Sequence, residues 1–338
     1  MRNVLFLLLA GFFVLPAPTP YPLKYPTYFG NRVNLRPDNP LTVEGVRLGR
    51  FLFYEKRLSR GNVISCASCH RQSLAFTDGR AFSQGFDGVP TKRNSMSLAN
   101  VLWVRNFFWD GRAGSLEEQA VVPLTDAHEM GQSLDSSVAK LQADERYVRL
   151  FEAAFGAGGV TGERIVKGLT QFERTLISAD APYDKYIRGD YQLTASERRG
   201  LELFFGSAGC GRCHGGPKVF NETYHNNGLD RVFKDSGREV VTGMAYDRGR
   251  FRVVTLRNVE LTAPYMHDGR FGSLSEVIDH YNEHVEGGPT LSPSLRDSAG
   301  RPIRLGLTAG EKKDLLAFLH TLTDSTFIKD PRFSEPKF

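Results

Sequence analysis

The sequence predicts a mainly α protein made of two related halves, with long loops and little strand. Three observations carry that expectation. The string Cys66-Ala67-Ser68-Cys69-His70 recurs as Cys210-Gly211-Arg212-Cys213-His214, and the two copies use all four cysteines. A second group of strings repeats beyond each copy: Ser97-Leu98-Ala99-Asn100-Val101 matches Thr255-Leu256-Arg257-Asn258-Val259, and Trp109-Asp110-Gly111-Arg112 matches His267-Asp268-Gly269-Arg270, both at an offset of 158 positions. Helix-opening signals precede the second pentapeptide, follow both Asp-Gly-Arg strings and recur near the chain end.

The elements follow in order. Met1-Arg2-Asn3, the apolar run Val4 to Leu15 and then Pro16-Ala17-Pro18 read as an export signal or an uncleaved amino-terminal anchor over residues 1–22. A membrane-crossing helix needs about 20 apolar residues, so this run is too short for an ordinary span. A first domain is expected over 23–185, with a helix over Val43 to Tyr54 before the first pentapeptide. Ser115-x-x-Glu118 caps another helix, and Gly162 to Ser178 shows an apolar face at Ile165, Leu169, Phe172 and Leu176. A linker is expected near Ala179 to Tyr191, where Asp, Pro and Gly interrupt two helical patterns.

The second domain is expected over 186–338. Thr194-x-x-Glu197 is a capping box opening Arg198 to Phe205, Ser273-x-x-Glu276 another, and Thr308-Ala-Gly-Glu311 opens a last helix through Leu319. The pentapeptides lie 144 positions apart, so the second half has gained about fourteen residues, expected as a loop within Gly215 to Arg250. Phe251 to Leu256 is the one strand signal.

Cys-x-x-Cys-His is the attachment sequence of a c-type haem: two thiols one helical step apart bond the vinyl groups, and the histidine turns back to the iron. Two copies with no cysteine left over predict two haem c groups, held by Cys66, Cys69, Cys210 and Cys213, with His70 and His214 as axial ligands. A zinc site, a thioredoxin-like dithiol and simple disulfides are the competing readings. A zinc site normally has its second ligand pair within tens of residues rather than 144, and neither a dithiol nor a disulfide gives a reason for the histidine that follows both pairs.

The halves differ where chemistry is concentrated. Asp110, Arg112, Asp268 and Arg270 read as turn-pinning residues, but Trp109 faces His267, and Pro123 faces Tyr281. A tyrosinate can bind iron and a proline cannot. His128, His225, His267, His280, His284, His320, Met244 and Met266 are further candidates for a sixth ligand, and spacing alone does not choose among them and Tyr281. Lys and Arg exceed Asp and Glu by 43 to 38, with no dense basic run, which argues against nucleic acid as a partner and permits an acidic protein.

With these residues the chain resembles the bacterial di-haem cytochrome c peroxidase superfamily along nearly all of its mature length. The specific strings are the two haem motifs, Phe107-Phe108-Trp109-Asp110-Gly111-Arg112 with Ser115-Leu116-Glu117-Glu118-Gln119, and Thr255 to Val259 with Thr262-Ala263-Pro264-Tyr265-Met266-His267-Asp268-Gly269. It looks most like the MauG-like branch. Ordinary peroxidases of the superfamily carry a methionine at the position of Tyr281 and a distal histidine at that of Phe86. The resemblance therefore implies an open haem at His70 and a His-Tyr haem at His214. It implies that Gln119 and Glu129 line the open haem's distal pocket with Pro123 beside it, and that Trp109 relays oxidising equivalents between the haems. It implies a calcium ion held by Asn94 and the carbonyls of Thr262 and Pro264. Export to the periplasm follows, as does reduction of hydrogen peroxide with a small cytochrome c or cupredoxin as donor, or with a protein substrate. An ordinary cytochrome c peroxidase and a non-catalytic di-haem carrier are the alternatives. One departure stands out: MauG proper has a surface tryptophan two residues before its second haem motif, and this chain has Ala208. A different protein substrate, or direct peroxidase turnover, then fits at least as well as MauG's own substrate.

Overall fold

A computed structural model describes residues 17–338, so most of the expected leader, residues 1–16, lies outside the described residues. The first half contributes α1 (Val43–Tyr54), α2 (Cys66–Cys69), α3 (Leu116–Thr125), α4 (Leu134–Gln142), α5 (Glu145–Phe155) and α6 (Gly162–Glu173). The rest contributes α7 (Pro182–Arg188), α8 (Ala195–Phe205), α9 (Glu239–Thr242), α10 (Leu274–Asp279) and α11 (Ala309–His320). The described sheet is a single antiparallel pair, β1 (Tyr224–His225) with β2 (Phe251–Arg252).

The helices begin where short side chains replace missing backbone acceptors. Thr42, Ser115, Thr194, Ser273 and Thr308 each accept a hydrogen bond from the backbone N–H three residues on. Glu197, Glu276 and Glu311 return a bond to the cap residue's own N–H, completing the boxes. Glu118 and its counterpart Glu276 both reach one residue further, accepting from Gly114 N at 2.9 Å and Gly272 N at 2.6 Å, but only Glu276 also takes the cap residue's N–H.

The duplication is a duplication of packing. In the first half α1 crosses α6, and in the second α8 crosses α11. Both crossings need a glycine: a Cβ on Gly49 would stand 1.9 Å from the Gly168 carbonyl oxygen, and one on Gly200 would stand 1.9 Å from that of Asp314. Around the first crossing lies a core that includes Leu48, Leu52, Phe53, Leu169 and Phe172; around the second lie Phe204, Leu315, Phe318 and Leu319. The halves join through a mirrored hydrogen-bond set. Asn100 and Asn258, both at φ 62°, present their amides to Ser178 and Asp324. Ser178 N donates to Asn100 Oδ1 at 3.0 Å, Asp324 N to Asn258 Oδ1 at 2.8 Å, and the Asp324 carboxylate accepts from Ser178 Oγ at 3.1 Å.

Four sequence expectations are revised. α6 ends at Glu173 rather than Ser178; Leu176 remains buried, but its carbonyl leaves the helix to accept from Asn100 N at 2.8 Å. The linker contains α7, whose Asp184 forms a fully buried ion pair with Arg257 and accepts from Tyr28 Oη at 3.0 Å. The long insertion holds β1 and α9, and the strand expected over Phe251 to Leu256 is only two residues long. The carboxy-terminal tail returns to the first half. Phe327 and Phe333 belong to its core, Arg50 Nε donates to Ser334 O at 2.6 Å, and Phe338 lies 4.3 Å from Phe51. No helix among the described residues is long and apolar enough to cross a membrane.

The glycine crossings yield a measurable expectation. Gly200→Ala drives a methyl into a backbone carbonyl and should destabilise the holoprotein by about 1–3 kcal/mol in denaturant unfolding. Gly310→Ala, on the exposed start of α11 where the nearest atom is 3.9 Å away, should be neutral or stabilising by up to about 1 kcal/mol. Equal effects of the two changes would remove close helix approach as the reason for Gly200.

Candidate haem centres

α2 places Cys66 and Cys69 one turn apart, and the His70 backbone N donates to the Cys66 carbonyl at 2.9 Å. The chain then reverses through Ala75 at φ 50° and Phe76 at φ 63°, bringing the Phe76 carbonyl oxygen to 2.8 Å from His70 Nδ1. The second centre repeats this with different parts: Cys210–Arg212 form a 3-10 turn, and His214 Nδ1 lies 3.1 Å from the Val254 carbonyl oxygen. A carbonyl only accepts, so each Nδ1 carries the proton and donates, which leaves each Nε2 lone pair available for a metal. Burial lowers the pKa of both imidazoles, that of His214 to about 4, so both are neutral ligands at physiological pH.

The thiols have the opposite character to reactive dithiols. Burial raises Cys69 to about 11 and Cys210 to about 12, and pushes Cys66 higher still. A redox dithiol holds its thiolate in electropositive surroundings, unlike these. All four cysteines are free of disulfides, and no three His, Cys, Asp or Glu side chains among the described residues converge as a zinc site requires.

A mostly apolar cavity of about 330 Å³ opens at the second centre. Cys210, Cys213, His214, Tyr281 and Met266 line it, and it extends to Trp109 and Asn94 of the first half. Paired thiols, a neutral imidazole with a free Nε2 and an apolar slot are the donor set and surroundings that a c-type haem requires. The first centre has the same thiols and the same imidazole geometry against the first core.

The candidate sixth ligands separate by position. Tyr281 opens onto the cavity from a π-helical turn, His280–His284, that continues α10. Its hydroxyl accepts from Asn227 Nδ2 at 3.2 Å, and burial raises its pKa to about 12. The same Asn227 amide lies 3.4 Å from Met266 Sδ, so the two candidate donors share one neighbour. His225 also lines the cavity, but Ser292 Oγ at 2.9 Å and Thr223 Oγ1 at 3.1 Å occupy both its ring nitrogens. His267 stacks on Phe251 with ring centres 3.8 Å apart. His280 Nε2 bonds the Asn227 carbonyl at 3.0 Å, His128 pairs with Asp87, and His320 pairs with Glu260. His284 and Met244 are exposed.

At the first centre α3 carries Gln119 and Pro123, and the turn after it carries Glu129. Arg174 holds this helix against the end of α6 through a two-pronged ion pair to Glu117, at 2.7 and 2.8 Å, keeping that carboxylate down to about 2. Met130 N donates to the Pro123 carbonyl at 3.0 Å, which folds the turn back over the helix. Burial raises the Glu129 carboxyl, with Asp126 adding to the rise, and its field in turn reaches the Cys69 thiol. Phe86 N donates to the Glu129 carbonyl at 2.8 Å, and the Phe86 ring lies under Arg60 and packs against Gly131, leaving a hydrocarbon beside Glu129.

Between the halves, Trp109 Nε1 donates to the Asn94 carbonyl at 2.9 Å, and Asn94 N donates to that of His267 at 2.8 Å. Asn94, Thr262 and Pro264 all line the shared cavity. The aspartates of the two Asp-Gly-Arg strings pin their turns, Asp110 by bonding Arg112 N at 3.2 Å and Asp268 by bonding Arg270 N at 3.3 Å.

Sequence reasoning did not find the Phe76 and Val254 carbonyls, Asn227 or Arg252. A carbonyl has no residue signature, and Asn227 sits in the inserted segment that has no counterpart in the first half.

The chain matches the family model described as di-haem cytochrome c peroxidase over residues 43–192. It is 40% identical over 291 residues to methylamine utilization protein MauG of Methylorubrum extorquens, covering 84% of this chain and 79% of that one. It is 38% identical over 252 residues to cytochrome c551 peroxidase of Nitrosomonas europaea, covering 71% and 73%. Among solved structures, a MauG-like protein associated with microbial copper homeostasis superposes with a TM-score of 0.86 at 38% identity, covering 94% of this chain and 99% of that one.

Proposed function

The chain belongs to the di-haem cytochrome c peroxidase family, on its MauG-like branch, with two haem c groups as cofactors, and from that premise we propose that it is an exported, periplasmic peroxidase with an open haem at His70 and a His-Tyr haem at His214. The observation that carries the proposal is Tyr281, whose hydroxyl opens onto the cavity lined by Cys210, Cys213 and His214. Its partner position in the first half, Pro123, has no donor atom in its side chain, and Phe86 offers hydrocarbon beside Glu129. One centre is thereby supplied with a second protein ligand and the other is left open to substrate.

When bound, the haems supply the electrons for peroxide reduction and store the oxidising equivalents it leaves. The chain's own residues manage protons and access. Glu129, raised by burial, accepts a proton from peroxide at one oxygen and returns it to the other. Gln119, one turn before Pro123 on α3, orients the bound substrate through its amide. Trp109 is the aromatic link between the centres, since its ring lines the second cavity while its indole N–H bonds the Asn94 carbonyl. Tyr281 would hold the second iron through its phenol oxygen, and the proton that burial retains on that oxygen would have to leave when the group is bound. Asn94 Oδ1 and the carbonyls of Thr262 and Pro264 are proposed to hold calcium. All three residues line the cavity between the halves, none of these oxygens receives a hydrogen bond among the described residues, and uncharged oxygen donors suit that ion. The reductant is proposed to be a small cytochrome c or cupredoxin, or a protein substrate in its place.

Met266 supports a second reading, because its sulfur shares the Asn227 amide with Tyr281. A methionine-ligated second haem would make the chain an ordinary peroxidase.

Two measurements test the proposal. Tyr281→Phe should convert the resting ferric protein from one high-spin and one low-spin haem to two high-spin haems in spin-resonance spectra; an unchanged low-spin signal transfers ligation to Met266. The rate of reaction with peroxide should fall on the acid side as Glu129 protonates, at a pH above the ordinary carboxylate value because burial raises this group. Glu129→Gln should abolish that limb and lower the rate by roughly 10²–10⁴-fold. A Gln variant with the wild-type profile assigns proton transfer to another group.

A further inference from the structure

Arg252 stands on β2 in the wall of the cavity between the two halves. Its backbone N donates to the Trp109 carbonyl at 2.7 Å, its Nε donates to the Phe108 carbonyl at 3.2 Å, and one of its terminal nitrogens lies 3.7 Å from Met96 Sδ. The other arginines at the core of the fold have carboxylate partners: Arg174 has Glu117, Arg257 has Asp184, and Arg93 has both Asp110 and Asp235. Arg252 has none within ion-pairing distance among the described residues. Glu222 and Tyr224 are the ionisable groups whose fields reach it, and Glu222 is engaged elsewhere, accepting from Arg105 N at 2.7 Å.

A guanidinium in the wall of a mostly apolar cavity is stabilised when a counter-charge meets it. One carbonyl and one thioether contact satisfy some of its donors and none of its charge. The cavity it faces is the one lined by the second haem-attachment motif, and a haem carries two carboxylates on one edge. We propose that Arg252 binds a propionate of the haem attached at Cys210 and Cys213, and that the same side chain fixes the Phe108–Trp109 segment against that edge. This rests on the two-haem reading. It makes Arg252 a positioning residue: one arginine of the second half sets both the charge at its own haem and the placement of the first half's tryptophan.

The test is spectroelectrochemical titration of the holoprotein. A positive charge beside the ring favours the ferrous form, which carries one more electron, so Arg252→Gln should lower the midpoint of one haem by about tenfold in its reduction equilibrium, ~59 mV, and leave the other in place. Arg252→Met, with similar length and no charge, should give the same shift and serves if the Gln variant does not accumulate. Arg252→Lys should restore most of the loss. Unchanged midpoints in both neutral variants overturn the proposal, as does a Lys variant that behaves like Gln, which would reduce the role to packing. A wild-type chain carrying fewer than two haems would instead mark failure of the two-haem reading.

Discussion

The arrangement depends on a bond that neither haem motif contains. In each half a backbone carbonyl, that of Phe76 or Val254, accepts a hydrogen bond from Nδ1 of the motif histidine and aims the opposite nitrogen outward. A free imidazole rotates and exchanges tautomers; this one does neither, because the acceptor belongs to a chain segment held by its own turns. Burial removes the remaining alternative by disfavouring the imidazolium. Thiols that remain protonated, a neutral histidine and an apolar slot then form a consistent environment for covalent haem, with no part of it poised for dithiol chemistry.

Duplication explains why this happens twice, and divergence explains why the two centres differ. The helix crossings at Gly49 and Gly200 and the asparagines at 100 and 258 repeat almost unchanged, because close helix approach and a left-handed backbone tolerate few residues. Other positions are freer: Pro123 stands against Tyr281, Trp109 against His267, and Ala99 against Arg257, which is buried in its ion pair with Asp184. The shared positions preserve the fold, and the divergent ones make the surroundings of the two centres chemically different.

The interface between halves is polar and specific. Arg93 joins Asp110 of one turn to Asp235 of the insertion at 2.6 and 2.7 Å, Arg238 donates to the Asp110 carbonyl at 3.0 Å, and Asp324 gathers donors from Ser178, Ala179 and Asp180. The tail from Phe327 to Phe338 closes the first core from the far end of the chain. The halves therefore do not behave as separable beads. Trp109 lies where these networks meet, with its neighbours Asn94 and Arg252 fixed from either side.

The sequence by itself determined the helical class and the twofold repeat, and it marked the candidate haem anchors. Covalent attachment needs contiguous residues, and a helix start needs its cap within one turn, so both leave short-range signatures such as Cys-x-x-Cys-His and Thr194-x-x-Glu197. It also marked Tyr281 against Pro123 as a difference of chemical weight, without choosing among the other candidate ligands. Tertiary structure decided which of those side chains are already engaged, because Ser292 bonds His225, Phe251 stacks on His267 and the Asn227 carbonyl bonds His280. It also decided that the tail belongs with the first core, that the linker holds a buried aspartate, and that Arg252 has no ion-pair partner among the described residues. Each of these depends on segments far apart in sequence meeting in space, and no local pattern of residues encodes such a meeting.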